Sequence, residues 1–215
     1  MDSRLTPQEF DQHLSQSTLR VAFVGMSNAG KSYRSGVLER DKGFLRYCVD
    51  DEILKSLGLE SEEAISSWMG YPSNAGYAQR EQEYLKLEDT YTKHASMHTH
   101  GQNIVFDTTG SVVHLPQETL ALLQDNCLVV HLEIDEARLS DMVEKFFRNP
   151  KPVAWSGYFS INPGESEHEA LRRCYPILLK ERLARYKQLA HVYVPVAEVR
   201  DTRGDETLAA IRRHL

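Results

Sequence analysis

The chain has 215 residues, of which 41% are apolar and 26% charged, with a formal net charge of −6. This length can bury a substantial core in one domain, and the acidic balance without a lysine- or arginine-rich block excludes general affinity for nucleic acid. No apolar run reaches membrane-spanning length, so no membrane partner is expected. Three widely spaced cysteines, an odd number, are typical of a reducing, cytoplasmic setting.

Helices and strands are predicted to alternate along the chain. Thr6-Pro7-Gln8-Glu9 is a capping box with proline at the first helical position, which predicts a short helix over residues 7–15. Largely apolar runs predict strands at residues 19–24, 45–49, 103–107, 127–133 and 191–196. Further helices are predicted at residues 31–40, 51–57, 61–69, 74–99, 116–125, 135–148, 166–190 and 204–214. Pro176 is expected to break or kink the helix that contains it.

Four crossover connections between five buried strands predict a doubly wound α/β fold with a five-stranded parallel sheet. Residues 1–215 are expected to form a single domain. Two stretches depart from the alternation. Residues 58–76, with three glycines and Pro72, begin an excursion over the carboxyl edge of the sheet that extends to residue 100. Residues 149–165, with three prolines and the aromatic residues Trp155, Tyr158 and Phe159, are predicted to form a mobile lid with exposed aromatic side chains.

The most informative motif lies directly behind the first predicted strand. Gly25-Met26-Ser27-Asn28-Ala29-Gly30-Lys31-Ser32 matches G-x-x-x-x-G-K-[ST] in the order strand, glycine loop, helix. Backbone N–H groups of such a loop and the positive end of the following helix dipole hold phosphate groups. Lys31 would neutralise the β- and γ-phosphates, and Ser32 would offer a hydroxyl to Mg²⁺. We therefore predict nucleotide binding by residues 25–33, including Tyr33; the alternative is a glycine-containing turn with a surface lysine.

Carboxylates follow the second and third predicted strands, and ligands of such sheets bind at the carboxyl ends of the strands. Of Asp50 and Asp51, one is expected to support the next helix and the other, Asp50, to accept a proton from an attacking hydroxyl or bind magnesium water. Asp107 closes the third strand and resembles a Walker B carboxylate that holds Mg²⁺.

The turn after that strand contains Thr109, Gly110 and Ser111. Its glycine allows a ligand to approach the backbone, and its two hydroxyl groups are hydrogen-bond donors. The alternative is a plain helix-capping turn.

Basic residues are considered one by one because the chain as a whole is acidic. Arg80 and Arg182 lie on predicted helices, where pairing with a neighbouring glutamate on a solvated face explains each of them alone. Arg148 and Lys151 enter the predicted lid, and a cation delivered by lid closure would stabilise charge on a transferring phosphoryl group.

In the order of these motifs the chain resembles shikimate kinase and its small-metabolite kinase relatives in the nucleoside-monophosphate-kinase-like P-loop group. The resemblance covers about residues 18–215 and rests on five features: the phosphate loop, Asp50 followed by Ile53 and Gly58, the R-x-x-E pattern at residues 80–83, the turn at Gly110, and the run Arg182-Leu183-Ala184-Arg185-Tyr186 before the last strand. It implies a P-loop kinase fold with a lid, and ATP and Mg²⁺ as cofactors.

The resemblance also implies an activity and roles for residues. The chain would be a cytoplasmic ATP-dependent kinase, monomeric or homodimeric, that phosphorylates a hydroxyl of a small anionic metabolite. Asp50 would contact the acceptor hydroxyl, and the 58–100 excursion would bind substrate, with Arg80 and Arg182 clamping a substrate carboxylate. The turn of Thr109, Gly110 and Ser111 would lie against the substrate, and Arg148 or Lys151 would reach the γ-phosphate.

Two departures from the family pattern bear on this reading. Cys48 stands where the family has the first carboxylate of D-x-D, and a three-glycine turn is reduced to Gly110. We hypothesise that Asp107 takes over the carboxylate function lost at Cys48. Two alternatives remain: a nucleoside or nucleotide kinase, in which Trp68, Tyr71 and Tyr77 stack on a base, and a nucleotide-binding regulatory module without turnover.

Overall fold

Five parallel strands form one sheet in the computed structural model, which describes residues 5–97, 101–148 and 153–215. The strands are β1 (Arg20–Val24), β2 (Leu45–Cys48), β3 (Ile104–Asp107), β4 (Leu128–Glu133) and β5 (Val192–Pro195). Their order across the sheet is β2-β3-β1-β4-β5, and every neighbouring pair is parallel. The predicted α/β fold with a five-stranded parallel sheet is therefore confirmed, and the predicted strand limits agree with the observed ones within one residue.

The central strands are buried along nearly their whole length. All of β3 is buried, as are β1 beyond its first residue and β4 before its last. Strands covered on both faces need no polar side chains, which explains why their sequences do not alternate. Since β3 lies between β1 and β2, the register sets Asp107 beside both Phe23 of β1 and Cys48 of β2.

Within the described residues, ten α-helices connect and cover the strands. They are α1 (Pro7–Ser15), α2 (Lys31–Lys42), α3 (Val49–Leu57), α4 (Glu62–Met69), α5 (Tyr77–Met97), α6 (Gln117–Asn126), α7 (Leu139–Arg148), α8 (Glu167–Leu189), α9 (Val196–Val199) and α10 (Gly204–Arg213). Helix α2 packs on β1, β2 and β3 and against α10, while α5 packs against α3, α4 and α6. Helix α1 begins with the predicted capping box of Thr6 and Glu9.

Three local expectations differ from the structure. Helix α3 begins at Val49, so Asp50 and Asp51 both lie in its first turn. Helix α8 continues through Pro176, so the expected break is absent, and the alternative expectation, a kink, stays a prediction. Trp155, predicted to be exposed, is 3% exposed, because its ring packs edge-on to Phe159 and against Tyr175.

The two predicted departures from the regular alternation are visible in the described residues. Helix α4 and the turn that follows it lead into α5 between β2 and β3, and their role as a substrate-binding excursion stays a prediction. Residues 153–165 contain turns without a helix or strand. None of the described helices combines the length and the apolar character needed to cross a membrane.

Candidate active site

The phosphate loop joins β1 to α2 and uses backbone conformations that favour glycine. Gly25 has φ 146° and Gly30 has φ 89°, and a Cβ on Gly25 would lie only 3.0 Å from the Leu132 carbonyl oxygen. Gly30 is the N-cap of α2 and gives its first turn no side-chain hydrogen bond. The N–H groups of that turn are therefore available to an anion.

Lys31 lies beneath the loop and is 7% exposed. Its Nζ donates hydrogen bonds to the carbonyl oxygens of Gly25, at 2.9 Å, and Met26, at 3.3 Å. Burial lowers the pKa of Lys31, and the nearby carboxylates Asp107 and Asp50 oppose that shift. A buried ammonium group bonded to neutral carbonyls can exchange these partners for an anionic oxygen.

A cavity of about 330 Å³ opens over the loop. It is lined by Ser27, Asn28, Gly30, Lys31, Ser32, Tyr33, Asp50, Ile65, Tyr84, Gly110, Ser111, Ala154 and Arg182. Met26 and Ala29 are buried within the loop. The structure thus brings most of the predicted phosphate-binding residues into one cavity with four of the predicted acceptor-binding residues.

Gly110 lies where the third-strand turn meets the phosphate loop. A Cβ on Gly110 would be 2.9 Å from Ser27 Oγ and 3.6 Å from Arg182 Nη1. The turn can approach the loop this closely because the residue has no side chain. Two ends of the cavity therefore meet at Gly110. One is the phosphate end, at residues 25–33, and the other lies at the turn of Thr109, Gly110 and Ser111. We name them the phosphate end and, after its predicted role, the acceptor end, and we name the turn the acceptor turn.

Asp50 enters the cavity from the first turn of α3. Its Oδ1 accepts a hydrogen bond of 3.3 Å from the hydroxyl of Tyr84, a buried residue of α5. Tyr84 also lines the cavity and was missed by the sequence reasoning. Tyr77 and Tyr84 are seven residues apart and both buried on α5. This helical spacing of two tyrosines is the sequence signal that could have predicted a buried position for Tyr84.

Asp107 ends β3 and is 1% exposed. Its Oδ2 accepts hydrogen bonds from Arg46 Nη2 at 3.1 Å and from Ser35 Oγ at 3.4 Å. Arg46 also donates from Nε to Ser35 Oγ at 2.9 Å, so it fixes both groups. The buried Oδ1 has no hydrogen-bond partner among the described residues.

Cys48 lies opposite Asp107 in the register of β2 and β3. Burial, followed by the charge of Asp107, raises the pKa of the Cys48 thiol well above its ordinary value. The thiol is therefore neutral and supplies no anionic ligand to this part of the site.

The donors near the phosphate loop fit a magnesium ion. Ser32 lines the cavity with a hydroxyl, and one carboxylate oxygen of Asp107 has no partner in the part of the chain that the structure describes. Hard oxygen ligands of this kind, completed by phosphate and water, suit Mg²⁺.

A buried carboxylate, Glu88 of α5, lies beneath the acceptor turn and was also missed. The Thr109 hydroxyl donates to its Oε1, and the Ser111 hydroxyl donates to its Oε2 at 2.7 Å. Burial raises the pKa of Glu88 to about 7, although the two hydroxyl bonds oppose this shift. Thr109 is turned toward Glu88, whereas Ser111 also lines the cavity.

Arg182 reaches the cavity from α8. Its Nη2 donates to the Ala154 carbonyl oxygen at 2.7 Å, and its Nε donates to His114 Nε2 at 3.3 Å. Burial, together with Arg182, lowers the pKa of His114 to about 3, so the imidazole is neutral and can accept this bond. Nη1 faces Gly110 and is the part of the guanidinium nearest the acceptor turn.

Arg80, predicted to clamp substrate with Arg182, lies outside the cavity lining. Its Nε donates to the Met69 carbonyl oxygen at 3.1 Å, and its Nη2 donates to that of Ala75 at 3.2 Å. The guanidinium thus ties down the turn between α4 and α5. The prediction of a two-arginine clamp is not supported by this arrangement, because a lone R-x-x-E pattern does not define which way its arginine points.

The lid residues are only partly described. Arg148 is exposed at the end of α7 and does not line the cavity, and Lys151 lies outside the described residues. The following segment is held by Glu81 of α5, whose Oε1 accepts hydrogen bonds from the backbone N–H groups of Trp155 and Ser156. The Tyr77 hydroxyl donates to the same oxygen at 2.8 Å.

A second cavity of about 430 Å³ lies beyond the carboxyl ends of β4 and β5. It is lined by Glu133, Ile134, Asp135, Arg138, Lys187, Pro195, Val196 and Ala197. No sequence motif indicated this cavity.

The loop between β1 and α2, together with the strand order, defines the fold of a P-loop kinase. No protein-family model and no curated protein matches the sequence. Among solved structures, the shikimate kinase from Acinetobacter baumannii in complex with shikimate matches with a TM-score of 0.61 at 17% identity, over 91% of each chain. The shikimate kinase from Bacteroides thetaiotaomicron gives a TM-score of 0.60 at 14% identity, over 91% of this chain and 97% of that one. The shikimate kinase from Aquifex aeolicus gives a TM-score of 0.54 at 21% identity, over 89% of this chain and 92% of that one. The chain therefore has the fold of the shikimate kinases, as the resemblance predicted.

Proposed function

We propose that the chain is an ATP-dependent kinase that transfers the γ-phosphoryl group to a hydroxyl of a small metabolite. One observation carries this proposal: a single cavity is lined by the phosphate loop and by Asp50, Gly110, Ser111 and Arg182. A phosphate donor and an acceptor bound there would meet at Gly110, where the two ends of the cavity touch. Catalysis by positioning and charge stabilisation needs this arrangement.

The phosphate end supplies the donor-binding groups. Backbone N–H groups of the loop and the first turn of α2 would hold phosphate oxygens, and Lys31 would leave its two carbonyl partners to bind them. The second cavity, at the ends of β4 and β5, would receive the base and ribose.

Ser32 and Asp107 would hold Mg²⁺, and Arg46 would keep the Asp107 carboxylate in position through Oδ2. When bound, Mg²⁺ neutralises charge on the β- and γ-phosphate oxygens. Asp107 would thereby supply the carboxylate that Cys48 cannot.

The acceptor end supplies a base and a donor. Asp50 would orient the acceptor hydroxyl and accept its proton, with Tyr84 holding the carboxylate in place. Arg182 Nη1 would bind an anionic or oxygen-rich group of the acceptor. Arg148 or Lys151, delivered by lid closure, would neutralise charge on the transferring group.

The nucleoside-kinase alternative receives less support from the site. Tyr77 is bonded to Glu81 and to the Val153 carbonyl oxygen, and none of Trp68, Tyr71 and Tyr77 belongs to the described lining of the cavity. The regulatory-module alternative differs from ours only in turnover.

The test is ADP release from ATP and Mg²⁺ across hydroxy acids, sugars, polyols and nucleosides. Stimulation by a hydroxy acid, sugar or polyol supports the proposal. Stimulation by nucleosides alone would favour a nucleoside kinase, and nucleotide binding without turnover across the panel would favour the regulatory module.

A further inference from the structure

The acceptor turn rests on a buried carboxylate, that of Glu88. Glu88 is fully buried on α5, and both of its oxygens accept bonds from the turn, one from Thr109 and one from Ser111. A buried carboxylate is costly unless it is hydrogen-bonded, so these two bonds are the condition for keeping Glu88 where it is.

The two hydroxyl protons of the turn are therefore committed. Thr109 gives its proton to Oε1 and Ser111 gives its proton to Oε2, while the Ser111 backbone N–H donates to Thr109 Oγ1 at 3.1 Å. The two hydroxyl oxygens lie 3.2 Å apart, and with both protons on Glu88 neither oxygen donates to the other. A serine hydroxyl has one proton and two lone pairs. Ser111 Oγ can therefore accept a hydrogen bond from a ligand but cannot donate one while Glu88 is ionised.

Asp50, the neighbouring carboxylate at the acceptor end, is also a hydrogen-bond acceptor. Asp50 is a carboxylate whose Oδ1 accepts from Tyr84, so it too acts as an acceptor toward a ligand. Arg182 is the one described cation at this end of the cavity lining, since Lys31 lies at the phosphate end. A ligand beside the turn must consequently offer hydrogen-bond donors to Asp50 and Ser111.

We infer that Glu88 is a positioning residue that makes Ser111 a hydrogen-bond acceptor, so that the site selects molecules carrying a second hydroxyl or ammonium donor besides the hydroxyl that is phosphorylated. This inference rests on the proposed kinase function and narrows its acceptor to polyhydroxylated or aminohydroxylated molecules. The glutamate acts through the serine and does not touch the substrate.

Protonation of Glu88 would allow Ser111 to donate a hydrogen bond to a ligand. A protonated carboxyl donates to one hydroxyl of the turn and frees that hydroxyl's own proton. Burial raises the pKa of Glu88 to about 7, the Thr109 and Ser111 bonds and the charge of Arg182 lower it, and the charge of Asp50 raises it, so this change is in an accessible range. Tyr84 and Tyr186 also lie near Glu88, and burial raises the pKa of both hydroxyls, so they stay neutral over this range. The preference for a second donor is therefore expected to strengthen as the pH rises from 6 to 8.

The test compares matched probes with the protein saturated with a non-hydrolysable ATP analogue and Mg²⁺. D-gluconate is paired with 6-hydroxyhexanoate, which has the same chain length and carboxylate but a single hydroxyl, and myo-inositol is paired with cyclohexanol. Calorimetric affinities give a preference ratio for each pair at pH 6 and pH 8. We expect at least one ratio to exceed about tenfold at pH 8, the effect of one lost hydrogen bond at a buried site.

Glu88→Gln is the central variant, because its amide accepts from one hydroxyl of the turn and donates to the other. An amide nitrogen facing Ser111 frees the Ser111 proton for a ligand. An amide nitrogen facing Thr109 frees the Thr109 proton to donate to Ser111 Oγ, 3.2 Å away, so that Ser111 accepts less from a ligand in either case. It should reduce the preference at least about fivefold and flatten its pH dependence, with binding of the ATP analogue unchanged. Ser111→Ala, which removes the accepting oxygen and leaves Glu88, should reduce the same ratio and serves if Glu88→Gln does not fold. Glu39→Gln, on the exposed surface of α2, is the charge-matched control.

Equal affinities within both pairs, or a preference that survives in both variants, would overturn the inference. If the ATP analogue binds but no probe does, the acceptor class is wrong while nucleotide binding stands. If the analogue does not bind, the proposed kinase function itself fails and the inference falls with it.

Discussion

Asp107 and Glu88 are buried carboxylates with different partners and different consequences. Asp107 pairs with Arg46 and keeps one oxygen without a partner among the described residues, whereas Glu88 has both oxygens occupied by hydroxyl groups. The first arrangement leaves one carboxylate oxygen at the end of β3 for the proposed metal ion. The second arrangement leaves no carboxylate oxygen of Glu88 for a ligand and instead orients the hydroxyl groups of Thr109 and Ser111.

Asp107→Asn should abolish magnesium-dependent turnover, by at least about a hundredfold, because an amide oxygen lacks the charge that the proposed metal site requires. Cys48→Ser should change turnover by no more than about twofold, because the thiol it replaces is neutral and of similar size. Steady-state ADP release measures both, with circular dichroism to confirm folding. A tolerated Asp107→Asn together with an inactive Cys48→Ser would reject this assignment.

Glu88 should also make stability depend on pH. Burial raises its pKa from an ordinary 4.5 to about 7, so the folded state binds the proton more tightly than the unfolded state. The free energy of unfolding should therefore fall as the pH rises from about 4.5 to 7, by up to about 1.4 kcal/mol per pH unit.

Urea unfolding of the wild type and Glu88→Gln at pH 5 and pH 8 measures this term. Wild type should lose about 2 to 3 kcal/mol relative to the variant over this interval. His114 and His131, whose pKa values burial lowers to about 3 and about 4, destabilise both proteins alike in acid and cancel in the difference. Parallel pH profiles of the two proteins would contradict the expectation.

At the scale of elements, α5 connects the turn of Thr109, Gly110 and Ser111 to residues 153–156, the start of the described part of the predicted lid. Glu88 and Tyr84 face the turn and Asp50, and Glu81, nearer the start of the same helix, holds the backbone of Trp155 and Ser156. The carbonyl oxygen of Ala154, in the same segment, accepts a hydrogen bond from Arg182 of α8. A shift of α5 would therefore move both the turn of Thr109, Gly110 and Ser111 and the backbone of residues 154–156.

Glu81→Ala should loosen residues 153–156, since two backbone N–H groups lose their acceptor. Stability should fall by about 1 to 3 kcal/mol, and chymotrypsin should cleave faster near Trp155 and Phe159. Denaturant unfolding and limited proteolysis measure the two effects. Gln82→Ala, at the exposed neighbouring position, should change neither, and a Glu81→Ala protein as resistant as wild type would show that other contacts hold the segment.

At the scale of the whole molecule, the sequence predicted the features that depend on local pattern. Strand limits followed from apolar runs, and the grouping of the phosphate loop, Asp50 and Gly110 around one cavity followed from their positions at strand ends. Asp107 ends β3 as predicted but is not part of the cavity lining, and its role stays a prediction. Parallel strands bring their carboxyl ends to one edge, so residues far apart in sequence could be grouped without knowing side-chain directions.

What could not be predicted depends on side-chain direction. Glu88 and Glu81 are glutamates on a helix rich in charge, where solvent exposure is the ordinary expectation. Glu88 accepts from Ser111, more than 20 residues away along the chain, and Glu81 accepts from Trp155, more than 70 residues away. Arg46 lies on a strand of otherwise apolar residues and pairs across the sheet with Asp107. Arg80 was assigned to the substrate from its motif, but its guanidinium turns to the Met69–Ala75 turn instead.

The proposed kinase function requires nucleotide binding at the phosphate loop. The most direct measurement is a calorimetric titration of ATP with Mg²⁺ into the wild type and into Lys31→Ala. We expect one site on the wild type and an affinity lowered at least about a hundredfold in the variant, because a buried ammonium is its main charged contact to the phosphates. An absence of binding by the wild type, or equal affinity for both proteins, would contradict the account.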